Sequence, residues 1–339
     1  MTAIIIPRRA SGRQSIEART LYEADIDAFC AAIIQIRSTL DFEVSARGWA
    51  YILEEHGLTK DDFDTCERVI NDCRKEGCLP LDIAAVDESR TPDHLEELDD
   101  GAPDEQAGYV IDYLDRAHLG YEPVSFWEFQ SHYIEMMVEK IDLKSLFKPI
   151  CAEFHVACAN AKGWSDINSR AHMMQRFAKW EAAGKICVLL YCGDHDPAGL
   201  QISDTIKKNL FDLERAVGWS PAGLIVKRFG LNADFIEQHR LSWIDNLMTG
   251  GKRDLTDPRH PDHRKPYVQN YLAKFGARKV EANALVVRPE AGRALCRAAI
   301  TNYIERDGIA LYQAERAKRQ HDMQRAITRL LAERFGVRR

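Results

Sequence analysis

Residues 186–199 read ICVLLYCGDHDPAG. An apolar run of this length, closed by glycine and proline, is what a strand buried on both faces requires, and such strands belong to parallel sheets covered by helices. Asp194 and Asp196 follow at its carboxyl end. That is the edge at which open α/β sheets bind ligands. Paired carboxylates there are hard oxygen ligands suited to Mg²⁺, and a buried pair without a cation is costly. Asp196 before Pro197 also reads as a helix N-cap, so the Asp-x-Asp pattern alone leaves both readings open.

Working outward, HYIEMMVEK (132–140) reads as a strand, 142–154 as a helix, 155–162 as a strand and 169–184 as a helix. With 186–196 this is a βαβαβ run, the signature of a parallel sheet. Beyond it, 199–218 is helical, 223–231 extended, and 249–265 a polar stretch rich in Gly, Pro, His and Arg that reads as a long exposed loop. Residues 279–304 read as helix-rich and 308–335 as a basic terminal helix. The first strand ends in Glu139, so two strands of one sheet could bring three acids together.

Upstream, 1–18 carries Arg8, Arg9 and Arg13 without sustained periodicity and reads as a flexible basic arm. Helical patterns run from Ile16, over 45–55, and from the Thr59 and Asp61 cap signals to Gly77; in the last, Phe63, Cys66, Ile70 and Cys73 form the apolar stripe. A short β-like segment follows at 79–90. Three helices and an extended element are compatible with a winged-helix module. Nine acids and one base between 87 and 105 mark a solvated loop. The expected organisation is an arm (1–18), a winged-helix-like domain (19–122, with the acidic loop 87–105), an α/β domain (123–304) and a basic C-terminal helix (305–339).

The composition bounds the function. In 339 residues, 45% are hydrophobic and 29% charged, enough for about two domains. Lys and Arg total 46 against 52 acids, a formal charge of −6, so any DNA-binding surface must be local. No run is long and apolar enough to cross a membrane, and a cytoplasmic protein is expected. The nine cysteines are scattered in apolar segments without zinc-ligand spacing and read as reduced thiols.

A haloacid-dehalogenase-type phosphatase also begins on a strand ending in Asp-x-Asp, but it wants Thr or Val where Ala198 stands. The order Glu139, then Asp194 and Asp196, resembles the Toprim fold instead. More specifically, the chain from about Val44 to Tyr303 resembles the topoisomerase VI A subunit and its relative, the meiotic double-strand-break protein. The matching pieces are VEK (138–140), ANAKGWSDINSR (159–170), GDHDPAG (193–199), KRFGLNADFIEQHRL (227–241), VEANAL (280–285) and SARGWAYILEE (45–55), the last similar to the family's Arg-x-x-x-Tyr helix.

The resemblance implies a winged-helix-like domain followed by a Toprim domain that holds Mg²⁺ (or Mn²⁺) through Glu139, Asp194 and Asp196. It further implies that Tyr51 attacks a phosphate of double-stranded DNA and stays on the new 5′ end. A homodimer is implied, with Tyr51 of one subunit meeting the metal site of the other, and a separate ATPase subunit for strand passage. Arg47, Lys140, Arg170 and His195 are the candidate phosphate or DNA contacts; Glu281, in the VEANAL element, is a further candidate acid. The chain departs from the family in having Gly48, Trp49 and Ala50 before the tyrosine. Two other readings stand beside strand cleavage through a tyrosine. One is a hydrolytic Toprim nuclease without a covalent intermediate, in which Tyr51 packs beside Trp49 and Leu53; the other is a DNA-binding component that does not cut.

Overall fold

The computed structural model describes residues 4–9, 15–85, 101–161, 166–249 and 253–336. In chain order the main elements are α1 (Ile16–Arg37), α2 (Ala46–Glu54), α3 (Phe63–Lys75), α4 (Pro103–Arg116), β1 (His132–Val138), α5 (Ile141–Glu153), β2 (Ala157–Asn160), α6 (Ile167–Ala182) and β3 (Ile186–Cys192). They continue with α7 (Pro197–Leu200), α8 (Ile202–Phe211), α9 (Glu214–Val217), β4 (Ile225–Gly230), α10 (Ala233–Gln238), α11 (Pro266–Phe275), α12 (Pro289–Thr301) and α13 (Arg306–Phe335).

The α/β class expected from residues 186–199 is the one observed: a four-stranded, all-parallel sheet in the order β2-β1-β3-β4. Ile134, Met136, Val138, Val188 and Leu190 are fully buried, as a strand covered on both faces demands. Glu135, inside β1, is tolerated because Arg176 on α6 grips both its oxygens at 2.7 and 2.8 Å. Beyond the end of β1 the Glu139 amide still donates to the Cys192 carbonyl (3.0 Å), which sets Glu139 beside the turn after β3.

Contacts divide the chain into two units, 1–86 with 134–302 and 87–133 with 303–339. The boundary expected at 122/123 therefore falls inside the second unit, because the first three helices belong with the sheet. In the second unit α13 packs Tyr312 edge-on against Phe126 (5.4 Å between centroids) and donates its hydroxyl to Glu122 at 3.1 Å. Gly308 lets α13 approach the Phe129 carbonyl, where a Cβ would collide.

Two expectations change locally. Part of the expected arm is laid down: Ile6 is buried, the Ile4 amide donates to His56, and Arg8 pairs with Asp62. The β-like segment expected at 79–90 is a 3₁₀ turn at Leu81–Ile83 over its described part. There the Trp49 indole donates to the Ile83 carbonyl (2.7 Å), satisfying a backbone group that a strand would have paired in a ladder. Residues 86–100, most of the acidic loop, lie outside the described residues.

Candidate functional site: an acid cluster at the carboxyl edge of the sheet

The Asp-x-Asp turn is held open by backbone geometry and by an arginine. A Cβ at Gly193 would lie 2.5 Å from Glu139 Oε2 and collide with the Tyr191 hydroxyl, so any larger residue would displace these two side chains. Arg228 on β4 donates to the carbonyls of Asp194 (3.0 Å), Gly199 (3.0 Å) and Leu231 (2.6 Å), tying the turn to the neighbouring strand.

Glu139 and Asp194 meet directly. Glu139 Oε2 accepts the Asp194 amide at 2.8 Å and the Tyr191 hydroxyl at 3.1 Å. Asp194 Oδ1 accepts the Ala282 amide at 2.7 Å, and its Oδ2 faces the Lys140 ammonium at 3.0 Å. Lys140 also stands 3.6 Å from Glu139 Oε1. Burial pushes the Asp194 carboxyl up to about 7; the Lys140 charge works against this and Glu139 adds to it. For Lys140, burial works downward, but Asp194 and Glu139 outweigh it and raise its pKa.

Asp196 fills the other role open to it from sequence. Its Oδ1 caps α7 by accepting the Gly199 amide at 2.6 Å. Burial raises its carboxyl, opposed by that hydrogen bond and reinforced by the charge of Glu139, so it belongs to the same electrostatic cluster.

Among the described residues, no group of three or more His, Cys, Asp or Glu side chains is disposed as a metal cage. The reason is visible in the donors: the acids spend oxygens on amides, and a lysine ammonium already lies between Glu139 and Asp194. Glu139 and Asp194 share the Lys140 ammonium, and Asp196 is coupled to them through the charge of Glu139.

Tyr51 belongs to the same cluster. α2 carries it, fully buried, with Phe63 edge-on at 4.9 Å and the Lys60 ammonium 4.0 Å from the ring centre. Its hydroxyl donates to Glu281 Oε2 at 3.0 Å. Burial, with the negative charge of Glu281 added, raises the phenol above its ordinary range, and Arg47 opposes this. Arg47 Nε donates to the same Glu281 oxygen at 3.1 Å, and its Nη1 to Glu67 at 2.9 Å. On Glu281, burial works upward but the charge and hydrogen bonds of Arg47 prevail, holding the carboxyl below its usual range. Glu281 and Ala282 are consecutive, so one short segment touches both the Tyr51 hydroxyl and the Asp194 carboxylate.

Two candidates from sequence sit elsewhere. His195 was a candidate phosphate contact, but it is 1% exposed, with Nδ1 3.0 Å from the Leu231 carbonyl and its ring among Trp243, Tyr271 and Phe275. Alternation after β3 turns it away from the acids and into that aromatic pocket. Arg170, in the first turn of α6, donates to the Asn209 carbonyl on α8. Of the basic residues on α3 and in the 249–265 stretch, Arg74 is engaged with the Leu81 carbonyl, Lys75 with Asp72, Arg259 with Asp257 and Lys265 with Asp262. Lys252 lies outside the described residues.

Sequence reasoning missed Asp142 altogether. It is fully buried at the start of α5 and accepts the Ser45 hydroxyl at 2.7 Å, the Ser45 amide and the Asn283 side-chain amide. A single aspartate in a helix's first turn reads as an ordinary response to the helix dipole. No local pattern marks its partners.

No family model, curated protein or solved structure matches the chain. No helix among the described residues is long and apolar enough to cross a membrane.

Proposed function

We propose that the protein is a metal-dependent DNA-cleaving enzyme of the topoisomerase VI A type, with a winged-helix-like N-terminal part and a Toprim sheet. The observation that carries this reading is the junction at 281–282, where Glu281 accepts the Tyr51 hydroxyl and the neighbouring Ala282 amide donates to Asp194, which in turn contacts Glu139, although these residues come from distant parts of the chain. A family resemblance in sequence order alone did not require that contact.

In this reading Glu139, Asp194 and Asp196 would hold Mg²⁺ or Mn²⁺. The cation would supply charge neutralisation for the scissile phosphate. Lys140, 27% exposed, would share that work at the phosphate oxygens. The phenolic oxygen of Tyr51 bonds to phosphorus, the bond to the 3′ oxygen breaks, and the phenolic proton passes to the Glu281 carboxylate that already accepts it. The departing 3′ oxygen takes its proton from water, leaving the 5′ phosphate on Tyr51. Double-stranded DNA is the substrate, and a homodimer and a separate ATPase partner are proposed with it.

The complete burial of Tyr51 favours one second reading, a hydrolytic nuclease in which the same acids act and the tyrosine is a packed structural residue. Both are tested by incubating the protein with supercoiled plasmid and Mg²⁺ or Mn²⁺, with and without protease digestion, beside Tyr51→Phe and Asp194→Asn. Protein-linked DNA ends that disappear in both variants are expected. Free ends lost only in Asp194→Asn establish the nuclease instead, and DNA binding without cutting in the presence of any ATPase partner defeats both.

A further inference from the structure

We infer that α4 and the carboxyl-terminal half of α13 form a docking surface for a second copy of this chain, the two copies closing a four-helix bundle. The surface goes beyond the cleavage reading and stands without it, because it lies wholly in the second unit, which holds neither Tyr51 nor the acid cluster.

Each helix carries an apolar stripe that a single chain leaves open. On α4, Tyr109, Val110, Tyr113, Leu114 and Ala117 recur at i, i+1, i+4, i+5 and i+8. On α13, Met323, Ala326, Ile327, Leu330 and Leu331 recur at i, i+3, i+4, i+7 and i+8. Stripes of this width are what a bundle helix turns toward a core. Yet no residue of α4 is buried, and α13 buries only Gly308 and Tyr312, near its amino end. Tyr109 and Tyr113 are 67% and 70% exposed and Leu330 is 56% exposed. Contiguous apolar surface of this kind marks an interaction site.

The two helices diverge from one anchored point. Gln320 on α13 donates to the carbonyls of Leu119 (2.8 Å) and Tyr121 (3.2 Å), in the turn that follows α4. Past Gln320, α13 continues to Phe335 for about four turns without burying a side chain. Helices gain most of their stability from packing an apolar face, so this stretch calls for a cover.

The charges select a second copy as that cover. α4 has the acids Asp104, Glu105, Asp112 and Asp115 against Arg116, whereas 323–335 of α13 has Arg325, Arg329 and Arg334 against Glu333. One chain therefore presents both signs, the self-complementarity that a two-fold interface needs. The signs also fix the pairing: α4 on the α4 of another copy sets acids against acids, while α4 on its α13 sets acids against bases.

The test reads the mass of the full-length chain by analytical ultracentrifugation over a concentration series, so it is indifferent to whether DNA is cut. Wild type should sediment as two chains, and Leu330→Glu, at a position exposed in the single chain, as one. Reversing α4 (Asp104→Lys with Asp112→Lys) or α13 (Arg325→Glu with Arg329→Glu) should each weaken assembly about tenfold. Mixing the two reversed chains should restore it, since each basic α4 then meets an acidic α13 and each acidic α4 a basic one. Recovery on mixing also shows that the reversed chains are folded. A single-chain mass for wild type at every concentration overturns the inference and leaves the face to a different partner. Two-chain assemblies that survive both reversals and Leu330→Glu, or a mixture that stays apart, overturn it as well.

Discussion

The Lys140 ammonium lies 3.0 Å from Asp194 Oδ2, in the ground between Asp194 and Glu139 that a divalent cation would need. A lysine there keeps the acids tolerable when no cation is bound, at the expense of competing with one. Lys140→Met should therefore bind Mn²⁺ about tenfold more tightly, while the metal-free protein loses about 1–3 kcal/mol of stability as the buried acids lose their partner. Mn²⁺ titration followed by electron paramagnetic resonance, with thermal unfolding alongside, checks both. Unchanged affinity would overturn the proposed metal site.

The Asp194 carboxyl, pushed up to about 7 by burial, carries a proton over much of the range below neutrality. A cation that binds the carboxylate must displace that proton, so apparent Mg²⁺ affinity should rise with pH up to about 7 and level off above it. Titration calorimetry in buffers of different ionisation enthalpy should find close to one proton released per Mg²⁺ at about pH 6 and almost none at about pH 8.5. Equal release at both would show that Asp194 is not a ligand.

Asp142, on α5, links the N-cap of α2 to the 3₁₀ turn Ala282–Val287 through Ser45 and Asn283. Asp142→Ala strands three donors in the interior and should cost about 3 kcal/mol. Because the partners share one carboxylate, Asp142→Ala and Ser45→Ala should be non-additive by about 1–3 kcal/mol in urea unfolding. Additive losses would mean that the buried link contributes nothing to holding α2.

Two helical glycines should respond oppositely to the same change. Gly108→Ala in α4 meets nothing within 4 Å and should stabilise the protein by about 0.5–1 kcal/mol through helix propensity. Gly48→Ala in α2 gains the same propensity but must displace Val44 and Asp142, and should destabilise by about 1–3 kcal/mol and reduce DNA cleavage. Denaturant midpoints for the two variants decide this; a stabilising Gly48→Ala would show that α2 does not need its close approach.

Much was readable along the chain. The apolar run 186–192 and its alternation with helical segments determined a parallel α/β sheet, and position at strand ends singled out Glu139, Asp194 and Asp196. Those properties are local: strand burial, helix periodicity and capping are written in neighbours a few residues apart. Asp196 illustrates the limit, since capping α7 and facing the acid cluster require the same residue type.

Only the tertiary structure decided that Tyr51 lies beside Glu281, that Asp142 joins Ser45 to Asn283, and that His195 turns into an aromatic pocket. These contacts join residues up to 230 positions apart. A buried hydrogen bond between distant polar side chains leaves no periodic trace in either segment, because its stability comes from mutual desolvation once the helices have docked.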